Sequence, residues 1–306
     1  VPADIALRDW PERAQRAGLT TIALHPFPTE VMSFIRSEDG QRFLEKCRTL
    51  GIQVEYELHA MHELLPRELF AGDPSLFRMN ESGERTPDAN LCISSERALE
   101  IVAKNALTVS RVLRPTTGRY FLWGDDGMPY CRCPSCADLS DSDQALILEN
   151  RLLEALLTED PEARVAHLAY ARTLEHPRRI RPERGIFLEF APINRRYDFP
   201  LSSNEVTEQR HHLEKLDANL KVFGTEGAQA LEYWLDASRF SSWKRPAVKI
   251  PFDLKVFAED VATYGSLGIR HITTFSVWID NEYIARYGDP PLREYGQTLL
   301  NWRKRK

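Results

Sequence analysis

The chain has 306 residues, of which 42% are apolar and 28% charged, a composition that supplies a sizeable core and excludes a disordered or fibrous chain. A formal net charge of −5 gives no electrostatic basis for nucleic-acid or membrane-surface binding, and no apolar stretch approaches bilayer-spanning length. Five cysteines, an odd count in a chain this large, argue against a disulfide scaffold and favour a reducing, cytoplasmic compartment; no signal peptide opens the sequence.

Short apolar runs rich in β-branched and aromatic residues alternate with longer helical patterns. The runs fall at residues 5–7, 21–24, 52–58, 120–123, 165–170, 186–190, 228–235 and 271–277, and each predicts a strand. Helices are predicted at 11–17 and 41–50, at 94–113 with Ser94 as N-cap, and at 144–157 opened by Asp143. Further helices are predicted at 205–220, 254–264 and 292–302. Eight strands alternating with helices predict one (β/α)8 TIM barrel over residues 1–306. A doubly wound open sheet is the alternative, but the bend Arg8-Asp9-Trp10-Pro11 after the first run has no glycine to admit a pyrophosphate. Residues 61–91 form a long aperiodic stretch whose Phe70, Leu76, Phe77 and Met79 indicate packing, so it reads as a substrate-shaping loop. The basic tail at 303–306 reads as a solvated end.

In such barrels the site forms at the C-terminal ends of the strands, so polar residues there are the candidates. In the third predicted strand Val54, Tyr56 and Leu58 would face the helices, and Gln53, Glu55, Glu57 and His59 the axis. In the seventh, Leu231, Tyr233 and Leu235 would pack outward. Glu232, Trp234 and Asp236 would then point inward, an aromatic face with acceptors that suits a sugar. The plainer alternative makes Trp234 ordinary core and pairs Glu232 with an arginine. The fourth strand ends Trp123-Gly124-Asp125-Asp126-Gly127; adjacent carboxylates raise the pKa of one and keep a proton for a leaving group, unless this is a solvated turn. His25, Tyr170, Glu189 and Trp278 stand at other strand ends and complete the expected substrate-binding set.

Cys131-x-Cys133-x-x-Cys136 follows the acid pair, and with Cys92 these thiols could hold one structural zinc; a disulfide or simple thiols are the alternatives. Cys47 lies in a helical pattern and reads as packing. A metal-dependent hydrolase built on His25, Glu57, His59 and His62 is a further alternative, with looser ligand spacing.

The run Tyr120-Phe121-Leu122-Trp123-Gly124-Asp125-Asp126-Gly127, the cysteine motif, and Ala166-His167-Leu168-Ala169-Tyr170 after a long helix resemble the domain of unknown function 4838 group, part of which is glycoside hydrolase family 163. The likeness covers about residues 119–200, and Asn90-Leu91-Cys92 shares it. It implies a barrel glycosidase that needs no cofactor for catalysis. Characterised relatives are endo-β-N-acetylglucosaminidases acting on N-glycans. By the same resemblance Asp125 would polarise the 2-acetamido group of the substrate and Asp126 would be the general acid/base of a retaining, substrate-assisted β-N-acetylhexosaminidase, an exception to the two-carboxylate scheme. Family members often carry further domains where this chain is nearly a bare barrel, so exo or endo action stays open. The residues also allow a glycosidase using Asp126 with Glu232 on a sugar lacking the acetamido group. A non-catalytic carbohydrate-binding barrel that stacks sugar on Trp123, Trp234 and Trp278 is equally compatible.

Overall fold

The computed structural model describes residues 1–5 and 9–304. Seven strands are present: β1 (Thr21–Leu24), β2 (Gln53–His59), β3 (Arg119–Trp123), β4 (Arg164–Ala169), β5 (Ile186–Phe190), β6 (Gln229–Glu232) and β7 (His271–Thr274). All pair in parallel and in chain order, with Thr21 opposite Gln53 at one edge and Gln229 opposite His271 at the other. Parallel neighbours need crossovers, and helices intervene between most successive strands. Residues at the C-terminal ends of all seven strands, from His25 after β1 to Phe275 after β7, border one cavity, so the sheet curls around a common axis.

Seven of the eight predicted strands therefore correspond to β1–β7. The run at residues 5–7 does not: Ile5 closes a helical turn, Pro2–Ile5, and residues 6 and 7 lie outside the described residues. Among the described residues the sheet is seven-stranded, and the eight-stranded expectation is met to that extent. The N-terminal turn is tied to the far edge, because buried Asp4 accepts the Trp278 N–H at 3.0 Å through Oδ2. The helix Leu292–Lys304 crosses Trp10–Ala17 so closely that a Cβ on Gly296 would stand 1.7 Å from the Ala17 carbonyl oxygen. Of the basic tail, residues 303 and 304 end this helix, and residues 305 and 306 lie outside the described residues.

Local signals explain most helix ends. Ser95, not Ser94, caps Glu96–Val112 by accepting from Ala98 N–H; Ser94 turns its hydroxyl to two cysteine sulfurs instead. Ser140, not Asp143, caps Asp141–Leu156, and Asp143 returns the bond as the third residue of a capping box. The helix Pro28–Arg36 was not expected; it starts on a proline and buries Val31 and Ile35. Residues 61–91 pack as anticipated, through the short turns Met61–Leu64, Arg67–Ala71 and Pro74–Leu76, with Leu64, Leu65, Leu76 and Phe77 buried.

Candidate active site

A cavity of about 300 Å³ opens at the C-terminal ends of the strands. Trp123, Tyr170, Tyr233, Phe275 and Trp278 give it aromatic walls, and His25, His59, Asp126, Asp236 and Ser238 supply polar groups. Apolar faces with a few placed polar atoms are what a sugar-sized ligand requires.

The two adjacent acids after β3 part company. Asp125 turns toward the 61–91 segment, where its Oδ2 accepts Arg67 Nη2 at 2.5 Å and the Asn90 N–H at 2.6 Å. Asn90 Oδ1 accepts the Asp125 N–H in return, at 3.0 Å. Gly124 permits this approach, since a Cβ there would come within 2.8 Å of the Tyr130 hydroxyl and 3.0 Å of Asn90 Oδ1. Asp126 instead borders the cavity with its side chain 60% exposed, and His59 Nε2 lies 3.8 Å from its Oδ1. The pair does not share one environment, and the expectation that both reach one pocket is corrected on that point. Asp125 neutralises a partly buried guanidinium, so Asp125→Asn should cost about 1–3 kcal/mol of stability. A denaturant titration checks this.

His59 Nδ1 lies 2.9 Å from the Gly124 carbonyl, to which it donates, and this turns Nε2 toward Asp126. His25 has the same arrangement, with Nδ1 2.8 Å from the Glu57 carbonyl; burial, then the neighbouring His59, pushes its pKa down to about 3. Tyr170 faces Asp126, and its phenol is held above the usual range by burial and by that carboxylate's charge. Asp236 ends the turn after β6. Its Oδ1 accepts Ser238 N–H and Oγ–H and the Arg239 N–H, and burial raises its pKa.

The expected alternation on β2 is what the structure has: Val54, Tyr56 and Leu58 join the outer core, while Gln53, Glu55 and Glu57 face inward with Arg119 and Gln229. Glu57 lies below the cavity rather than on it and accepts from Gln229 Nε2 at 3.3 Å. Glu189 is likewise below, accepting Gln229 Nε2 at 2.8 Å and Trp123 Nε1 at 2.9 Å, so it orients the Trp123 wall. His62 does not border the cavity, and Glu57 is not beside His59's Nε2, so the proposed His-Glu metal set is not assembled.

On β6 the expected alternation is inverted. Leu231 and Tyr233 border the cavity, whereas Glu232 and Trp234 face the helices. Glu232 is wholly buried and accepts Arg195 Nε at 3.0 Å, the Tyr264 hydroxyl at 2.6 Å and the Tyr197 hydroxyl at 2.7 Å. Trp234 Nε1 donates to Asp260 at 3.0 Å and its ring packs on Phe257. Neither residue reaches the cavity, and the plainer alternative for both is the correct one. Asp236 does reach it, because the strand ends at Glu232 and the chain turns. Tyr233 and Phe275 were missed as wall residues, as were Arg67 and Asn90 as holders of Asp125. For Tyr233 the sequence is ambiguous, because Gln229 and Glu232 put a polar residue on each face of the strand.

Burial, followed by the charge of Glu55, pushes the Glu57 pKa up to about 8 from its ordinary 4.5. In the unfolded chain Glu57 ionises near its ordinary value, while in the folded chain it keeps its proton until about pH 8. This contribution to stability is therefore full below pH 4.5 and is lost as pH rises toward 8. Glu57→Gln should flatten the decline of Tm over that interval, as read by thermal melts at several pH values; a decline as steep as in the parent chain would contradict the assignment.

Residues 2–225 match the model of the family described as domain of unknown function DUF4838. No protein of curated function matches the chain. Among solved structures, the chain is similar to a glycoside hydrolase family 5 enzyme of Prevotella bryantii in complex with a xyloglucan tetradecasaccharide. The TM-score is 0.54 and the identity 11%, over 95% of this chain and 86% of that one. It is similar to an exo-β-1,4-mannosidase of an Opitutaceae bacterium, with TM-score 0.51 and 13% identity over 100% of this chain and 59% of that one. A family 42 β-galactosidase of G. stearothermophilus matches with TM-score 0.54 and 12% identity, over 96% of this chain and 54% of that one. The chain thus spans little more than half the length of the latter two. At these identities the likeness shows the fold alone: a curled, seven-stranded parallel sheet that resembles the barrels of these enzymes.

Proposed function

The chain belongs to the DUF4838 family, and from the cavity at its strand ends we propose that it is a glycoside hydrolase with Asp126 as general acid/base. The observation that carries this reading is the opposite setting of Asp125 and Asp126. One carboxylate is consumed by Arg67 and Asn90, and the other stands open on an aromatic-walled cavity beside Tyr170 and His59. The fold neighbours, whose described enzymes act on glycosides, agree with this class of reaction.

We take the substrate to be a β-linked 2-acetamido sugar. Asp126 would deliver its proton to the glycosidic oxygen as the C–O bond breaks. The acetamido oxygen would attack the anomeric carbon and form an oxazoline-type ring. Asp126, now a carboxylate, would take a proton from the water that opens this ring, and the anomeric configuration would be retained. Asp125 is engaged by Arg67 and Asn90 and does not border the cavity that Asp126 borders. Asp236 suits the role of accepting the acetamido N–H: three donors fix its Oδ1, while the residue borders the cavity. The same fixed carboxylate supports a second reading, in which Asp236 attacks the anomeric carbon directly and no acetamido group is needed.

A panel of aryl β-glycosides separates the two. Turnover restricted to the N-acetylglucosaminide or N-acetylgalactosaminide, with inhibition by a thiazoline analogue, supports acetamido participation. Turnover of plain glucosides, mannosides or galactosides without thiazoline inhibition supports Asp236 as nucleophile. Sugar binding without turnover of any member would reduce the protein to a carbohydrate-binding barrel.

A further inference from the structure

Behind the acid loop lies a second cluster that the hydrolytic reading does not use. Cys92, at the end of the 61–91 segment, meets Cys131, Cys133 and Cys136 of the loop after β3. Their sulfurs all lie within 4.8 Å of one another, and all four residues are buried. None is in a disulfide. The Cys92 and Cys133 sulfurs are 3.7 Å apart, far beyond the ~2.05 Å of an S–S bond. A tetrahedron of thiolates about 2.3 Å from a central zinc has edges of about 3.8 Å.

The surroundings suit thiolates. The Met79 N–H points at Cys131 Sγ from 3.3 Å, and Arg85 Nη1 lies 3.7 Å from the same sulfur. The Ser94 hydroxyl lies 3.1 Å from Cys92 Sγ and 3.6 Å from Cys133 Sγ. Four thiolates around a divalent ion carry a net charge of −2, which these donors and the guanidinium offset in part. Ordinary buried thiols gather no such donors. Cys47, in the helix Glu38–Leu50, shows the contrast: burial, then the charge of Glu12, pushes its pKa up to about 12.

We propose that Cys92, Cys131, Cys133 and Cys136 bind one zinc ion as a closed, structural site. Four protein ligands leave no position for water or substrate, so the ion takes no part in hydrolysis. It clamps two chain segments. On one, Asn90 stands two residues before Cys92 and holds Asp125; on the other, Asp126 stands five residues before Cys131. The zinc is a positioning device for the turn that carries both acids, and its presence does not depend on the reaction catalysed.

The full chain, purified under reducing conditions without added metal, tests this by elemental analysis and native mass spectrometry. One zinc per chain is expected, and the four thiols should resist alkylation until a chelator and denaturant release them. The Cys133→Ser/Cys136→Ser variant should lose at least nine-tenths of the zinc, while Cys47→Ser should keep it. Cobalt substitution should give the d–d and thiolate charge-transfer bands of a tetrahedral S4 site. Metal-free native protein whose thiols react freely, or a mass showing paired disulfides among these cysteines, would overturn the proposal. Neither readout involves turnover, so the zinc assignment and the glycosidase reading fail or stand separately.

Discussion

Asp126→Asn should lower turnover of an aryl N-acetyl-β-glucosaminide by about 10²–10⁴-fold, the range lost with a general acid/base. The amide keeps the shape of the side chain but has no proton to give and no charge with which to take one back. Because Asp126 is largely exposed and meets only the cavity residues His59 and Tyr170, the variant's Tm should stay within about 1–2 °C of the parent. Asp125→Asn should show the reverse emphasis: lower stability through loss of the Arg67 pair, with a smaller loss of activity as the turn loosens. Loss of activity should also be smallest for aryl leaving groups that need little protonation. Equal activity for parent and Asp126→Asn on substrates with poor leaving groups would remove the residue from the chemistry.

The largest effect on stability is expected from Arg195→Met. The guanidinium is wholly buried, with Nε on Glu232, Nη2 on Asp260, and Nη1 on the Arg196 and Phe199 carbonyls. It stacks over Tyr197 at 4.1 Å. Its removal leaves Glu232 and Asp260 buried with no cation, which costs about 3–5 kcal/mol. Asp260 already sits at about 6, raised by burial, even with Arg195 beside it. The triple variant Arg195→Met/Glu232→Gln/Asp260→Asn should recover part of the loss, since it no longer buries an unpaired charge. Glu232→Gln alone should weaken the fold while the folded fraction keeps its kcat. A fall in kcat without a fall in stability would return Glu232 to the catalytic role that its burial denies it.

Much of the strand framework was legible because apolar runs report burial on both faces of a parallel sheet. β2 could be read face by face: it has seven residues, and its polar side, Gln53, Glu55 and Glu57, has no outward use. β6 could not. It has four residues, and its helix-facing side carries Glu232, acceptable there only because Arg195, Tyr197 and Tyr264 arrive from elsewhere in the chain to pair with it. A rule that sends polar groups inward fails where the charge is compensated by residues distant in sequence. The acid pair shows the same limit at the site. Adjacent aspartates after a strand and between glycines mark a candidate turn. Which one faces the cavity depends on Arg67 and Asn90, 58 and 35 residues away from Asp125. The cysteine cluster was legible because its residue type admits few roles and three of its members are close in sequence. The N-terminal run at 5–7 had the composition of a strand, but Ile5 ends a helical turn.

The most direct test of the account is a crystal structure with an N-acetylglucosamine thiazoline bound. The account predicts the ring in the aromatic cavity, with the Asp126 carboxyl within hydrogen-bonding reach of the position of the leaving oxygen and Asp236 on the thiazoline nitrogen. A ligand bound outside this cavity, or one whose nitrogen meets Asp125 while Asp126 points to solvent, would contradict it.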